Sequence, residues 1–145
     1  MRAIVQRVSS ASVNVDGRSV GSCGVGFVVL VAALRSDTTA NAEKMADRVR
    51  GLRVFNDEAG KMNLALEDVG GSVLAISNFT VAGDATKNRR PSFIDAAPFD
   101  DGRRLFDAFV ESLRGMGVGV ETGEFGAHMD VQLVNDGPVT VILEA

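Results

Sequence analysis

The 145 residues predict a single α+β domain, residues 1–145, built as a mostly antiparallel sheet with two packed helices. Three observations carry that expectation. Short β-type runs alternate with Gly- and Asx-rich turns. Two stretches repeat apolar residues at helical spacing. No repeats, linkers or heptads interrupt the pattern, and a hydrophobic share of 46% suits one sizeable core.

Ala3 to Val8 reads as a strand, with Ser12 to Val15 as its continuation or partner. Asp16-Gly17 is a hairpin turn leading to Arg18 through Gly21. Phe27 to Ala32 is continuously apolar and fits a fully buried strand. Gly24-Val25-Gly26 before it is no dinucleotide loop, because a third glycine is missing and a strand follows. Asp37 or Thr38 can cap a helix from Thr39 to Leu52, with Ala42, Met45, Ala46, Val49 and Leu52 on one face. Arg53 to Phe55 returns to strand. Asn56 to Gly60 is a polar turn whose acidic residues lack the periodicity of a calcium loop. Gly70-Gly71 opens a strand running from Ser72 to Val81, and Ala82 to Asp101 is a long loop. The second helix spans Asp101 to Met116, with Leu105, Phe106, Phe109, Val110 and Leu113 as its buried stripe. Val118 to Val120, Met129 to Val134 and Val139 to Leu143 are further strands.

Asn135-Asp136-Gly137-Pro138-Val139-Thr140 separates the last two. Asx-Gly between strands is a hairpin signal, and the proline suits a sheet edge. The other reading is a rigid peptide whose carbonyls face a ligand, since glycine lets another molecule approach the backbone.

A net charge of -4 and a pI of about 4.9 argue against a generally basic nucleic-acid coat, but they allow a local patch. Lys87, Arg89 and Arg90 form such a cluster, suited to phosphate. The single Cys23 cannot make an internal disulfide, which suits a reducing compartment. The start carries no signal-peptide pattern, and the longest apolar run, Val25 to Leu34, is too short for a bilayer. A soluble cytoplasmic protein without membrane contact is expected.

Catalytic machinery is sparse. His128 is the only histidine, and there is no Gly-x-Ser-x-Gly elbow or His-Glu-x-x-His pair. One Cys and one His cannot build a structural zinc site, so neither metal nor cofactor is expected. What remains is Ser77-Asn78-Phe79-Thr80: hydroxyls and an amide closing an apolar strand. Such groups orient a ligand by hydrogen bonding, although an ordinary strand end looks the same.

Longer stretches break that tie. Ile4-Val5-Gln6-Arg7-Val8, Gly60-Lys61-Met62-Asn63-Leu64, Arg90-Pro91-Ser92-Phe93 and Asn135 to Thr140 together resemble the D-aminoacyl-tRNA deacylases, also known as D-tyrosyl-tRNA deacylases. The Asn-x-Gly-Pro-Val-Thr signature of that family is present in full. Its Ser-Gln-x-Thr-Leu signature is present as Ser77 to Val81, with Asn78 in place of Gln and Val81 in place of Leu. Where the family often has Asp before Met129, this chain has His128.

The resemblance implies a barrel-like fold and a homodimer with active sites at the subunit interface. It implies a cis Gly137-Pro138 peptide inserted into the partner's site. The implied reaction is hydrolysis of the ester joining a D-amino acid, or glycine, to the 3′ end of tRNA. Ser77, Asn78, Phe79 and Thr80 then carry catalysis, with backbone N–H groups near Phe79 and Thr80 facing the oxyanion. Gly137 and Pro138 exclude L-aminoacyl groups, and Met129 lines the pocket. Whether Thr80 attacks or only shapes the site stays open, as does a non-catalytic protein that binds nucleic-acid ends and keeps the fold.

Overall fold

The computed structural model describes residues 1–145. Its spine is β1, Arg2–Val15, which has a strand on each edge over most of its length. One edge pairs antiparallel first with β3, Gly26–Ala32, then with β2, Arg18–Cys23. The other edge pairs antiparallel with β8, Asp130–Glu144, along both halves. The sheet continues from β3 into β6, Ser72–Ser77, and β7, Gly119–Thr122, and these two junctions are parallel. Antiparallel pairing therefore predominates, and a parallel flank carries the helical crossovers.

The crossover from β3 to β6 contains α1, Thr39–Arg50, and the small hairpin β4, Phe55–Asn56, with β5, Met62–Leu64. The crossover from β6 to β7 contains α2, Phe99–Gly115. Thr38 caps α1, its N–H donating to Asn41 Oδ1 at 2.8 Å. Asp100 and Asp101 lie in the first turn of α2, where acidic charge complements the helix dipole.

Both helices cover one face of the sheet. Met45 and Val49 from α1, and Phe109 and Leu113 from α2, meet Val29 and Val73 in the larger core. Phe27 stacks on Phe55 there, with ring centroids 5.1 Å apart. On the opposite face Val13, Val28, Leu74 and Ile76 form a smaller core against Val131 and Leu133 of β8. The sheet wraps around this second core and gives the barrel-like shape. Gly21 and Thr122 bring β2 and β7 so close that a Cβ on Gly21 would lie 2.5 Å from the Thr122 carbonyl oxygen.

Several elements differ from the sequence expectation, among them the strand expected at Arg53 to Phe55, which is only Phe55–Asn56, and the helix expected from Asp101, which starts at Phe99. The strand from Ser72 stops at Ser77, and a 3-10 turn, Phe79–Ala82, follows. The loop after it is pinned: Asp84 and Ser92 exchange two backbone hydrogen bonds of 2.8 Å, and the Ala97 N–H reaches the Ala33 carbonyl at 3.0 Å. The hairpin alternative for Asn135 to Thr140 fails, because its flanks pair with β1 rather than with each other.

Gly26 starts the β3–β6 junction at φ +154°, and an added Cβ would collide with the Ser72 carbonyl oxygen. Only glycine fits there. Burial pushes the Cys23 thiol above its ordinary range, which leaves it a neutral packing group. Phe109 is completely buried between helix and sheet. Phe109→Ala is expected to lower the unfolding free energy by about 3–5 kcal/mol, read from urea denaturation.

Candidate active site

A cavity of about 990 Å³ opens at the C-terminal ends of β3 and β6. Its floor is apolar, with Leu30, Ile76, Phe125 and Leu133 among the lining residues. Ser77, Asn78, Phe79 and Thr80 line it together, because the chain leaves β6 and turns at once into the 3-10 turn. Met129 also lines it; a Cβ on Gly123 would collide with Met129 Sδ, so the bare glycine makes room for the thioether. His128 borders the cavity with a 95% exposed side chain, 3.8 Å from Asp130.

The turn is tightly wired. The Asn78 N–H donates to the Val31 carbonyl at 2.9 Å and locks the turn to β3. Asn78 Oδ1 accepts from the Thr80 N–H at 3.2 Å and from the Thr80 hydroxyl at 2.5 Å. Of the two backbone donors expected near an oxyanion, the Thr80 N–H is therefore occupied. The Phe79 N–H is the first of the 3-10 turn, where the turn itself supplies no carbonyl partner. No group of three or more His, Cys, Asp and Glu residues comes together in a way that could hold a metal.

The other signature segment lies elsewhere. In β8, Asn135 faces Val8 and Thr140 faces Gln6, so Arg7 alone opposes the residues Asp136 to Val139. The excess chain bulges outward from the edge strand, with a cis Gly137-Pro138 peptide at its tip. Asn135 Nδ2 closes the base by donating to the Arg7 carbonyl at 2.9 Å and the Val139 carbonyl at 3.0 Å. Gly137 has φ +125°, and a Cβ there would lie 3.0 Å from Arg7 Nη2.

A family model described as D-Tyr-tRNA(Tyr) deacylase matches residues 4–144. The chain belongs to that family. It is an enzyme of the hydrolase class. It is 58% identical to a D-aminoacyl-tRNA deacylase of Thermomicrobium roseum, an alignment covering 100% of this chain and 94% of the relative. It is 52% identical to one of Thermotoga petrophila, covering 100% and 97%. Among solved structures, a c-Myc DNA unwinding element binding protein superposes with a TM-score of 0.93 at 37% identity, covering 100% of this chain and 99% of that one. A structure described as a probable eukaryotic D-amino acid tRNA deacylase shares the fold, with a TM-score of 0.85 at 18% identity, covering 99% and 98%.

This deacylase-family chain, then, gathers Ser77 to Thr80 with Met129 but leaves Gly137 and Pro138 outside that cavity. Lys87, Arg89 and Arg90 are exposed on the turn closed by Asp84 and Ser92, also away from the cavity lining. Hydrogen bonds from the Thr86 hydroxyl and N–H hold the Asp84 carboxyl below its usual range at the base of that turn.

Arg7, which holds the base of the bulge, is a residue that the sequence reading misses, although Ala3, Val5 and Arg7 share one buried parity of β1. A charge on that inward parity is the available signal. Its Nη1 donates to the buried Val54 carbonyl at 2.6 Å, its Nε to the Asp136 carbonyl at 3.1 Å, and Asp136 Oδ2 lies 3.3 Å from Nε. Removing the guanidinium strands the Val54 carbonyl and frees the bulge. Arg7→Ala is expected to cost about 1–3 kcal/mol of stability. Backbone amides of residues 136 to 139 should also exchange faster with solvent, which NMR can follow.

Proposed function

We propose that the chain hydrolyses the ester joining a D-amino acid, or glycine, to the 3′-terminal ribose of tRNA. The observation that carries this reading is the turn Ser77 to Thr80, with the Phe79 N–H as its first donor, at the mouth of a large apolar cavity in a chain of this family. A water oxygen joins the acyl carbon, the ester C–O bond breaks, and a proton reaches the departing 3′-oxygen. Free tRNA and the free amino acid leave. The Phe79 N–H, which its own turn leaves without a carbonyl partner, would meet the negative charge that develops on the carbonyl oxygen. An aminoacyl ester is already activated, so a strong side-chain nucleophile is unnecessary. The substrate's own 2′-hydroxyl can position the water, which fits a cavity with no buried base. No metal or cofactor is required in this scheme, and the site of action is the cytoplasm, where tRNA is charged and used.

Selectivity is assigned to Gly137 and Pro138 of a second copy of the chain. The tip projects from an edge strand, and Val134 and Ile142 stand exposed on either side of it in β8, 57% and 68% accessible. Exposed apolar side chains around a stiff protrusion favour burial against another copy. Backbone carbonyls of the tip would meet the amino group and crowd the L side-chain direction. Lys87, Arg89 and Arg90 would hold phosphates of the tRNA.

A second reading is a non-catalytic protein that binds nucleic-acid ends. It is favoured by the high similarity to the c-Myc DNA unwinding element binding protein structure.

Release of the amino acid from charged tRNA separates the two readings. D-tyrosyl-tRNA and glycyl-tRNA are expected to be cleaved, since glycine offers hydrogen at both α positions, and L-alanyl-tRNA to survive. Retention of intact D-aminoacyl-tRNA without release supports the binder. Equal cleavage of L- and D-alanyl-tRNA removes the exclusion mechanism. In sedimentation at micromolar concentration the protein should run as a dimer; a lone 15.2 kDa species counts against shared sites.

A further inference from the structure

We propose that Arg103 binds the 5′-phosphate of the terminal nucleotide of tRNA, the phosphate one ribose away from the ester. The inference rests on the hydrolase reading above and adds a residue of α2 to its site.

With the ester inside the cavity, that phosphate lies at the mouth and calls for a cation there. The cavity lining supplies almost none. It contains neither Lys nor Arg, and His128 is its only basic side chain. Lys87, Arg89 and Arg90 stand outside that lining. Arg103 rests against it. Its guanidinium carbon lies 4.9 Å from the ring centroid of Phe125 and 5.5 Å from that of Phe99. Both rings line the cavity, and Phe99 is 59% exposed, as a residue at the rim is.

The aromatic support is itself held in place. The two rings meet edge to face, with centroids 5.1 Å apart. Gly126, at φ +81°, lies directly against Phe99, and an added Cβ there would sit 2.9 Å from Phe99 Cε2. A guanidinium stacked on aromatic faces keeps the N–H groups along its plane for other partners. The other two arginines of α2 are occupied: Arg104 pairs with Asp101 at 3.5 Å and Arg114 with Glu111 at 2.9 Å. Arg103 is exposed and has no carboxylate partner. Its fork suits two oxygens of one phosphate. Asp100 and Asp107 share the helix with it, so the hold comes from that fork and not from a broad positive field.

The test uses the full-length protein and Arg103→Met, which keeps an apolar stem over the two rings and removes the charge. Two small substrates are compared, the 3′-D-tyrosyl esters of adenosine and of adenosine 5′-monophosphate. Arg103→Met is expected to lower kcat/KM for the phosphorylated ester by about tenfold, through KM, and to leave the other within about twofold. Thermal unfolding checks the fold of the variant. A residue that only packs against Phe99 and Phe125 changes both esters alike. That result, or no change in either, overturns the proposal.

Uncharged tRNA gives a readout without turnover. The slope of log binding constant against log salt concentration should flatten by about 0.7 in Arg103→Met, the loss of one single-strand phosphate contact. An unchanged slope overturns the proposal. If the unmutated protein releases no amino acid from D-tyrosyl-tRNA, the hydrolase reading falls, and the slope still decides whether Arg103 meets a phosphate.

Discussion

The pairing of β1 on both its edges is the constraint from which the rest of the architecture follows. A strand with neighbours on both edges has nowhere to place surplus chain without breaking a ladder. Its partner β8 has only one sheet neighbour, so irregularity is tolerated there. The bulge opposite Arg7 sits in that permitted place. The same spine divides the apolar residues into two cores, one under the helices and one inside the wrapped sheet. The cavity forms where the second core runs out, at the ends of β3 and β6.

Two signature segments far apart in sequence thus have different mechanical characters. Ser77 to Thr80 lie on a turn riveted to β3 through backbone bonds, and their polar groups face inward to a cavity. Asn135 to Thr140 lie on an edge and face outward. One lines a concave surface and the other is a protrusion.

Much of this is legible in the residues. The buried stripe of α2, from Leu105 to Leu113, is the one its spacing predicts, because a helix packed on one side imposes a local period. The strand ending at Ser77 is shorter than the apolar pattern, which runs on to Val81, suggests. There the side chain of Asn78 diverts the backbone, an Asx turn whose signal is an Asn two residues before a Thr. The Asn-Asp-Gly run suggests a hairpin because turn signals are local, whereas pairing with β1 is decided more than a hundred residues away. The role of Arg7 is hidden for the same reason: its partners, Val54 and Asp136, are remote in sequence.

The stitched base of the β8 bulge has a thermodynamic consequence. Asn135 and Arg7 fix the Gly137-Pro138 tip by bonds made wholly within one chain. The conformational entropy of ordering that segment is therefore lost when the chain folds, not when the tip meets another surface. A flexible loop in its place would have to give up about 1–2 kcal/mol of backbone entropy per residue on each encounter. A pre-set tip keeps that free energy available for contact, and its geometry does not relax to suit whatever it touches. The tip therefore meets any neighbouring surface as a fixed shape and not as a segment that adapts.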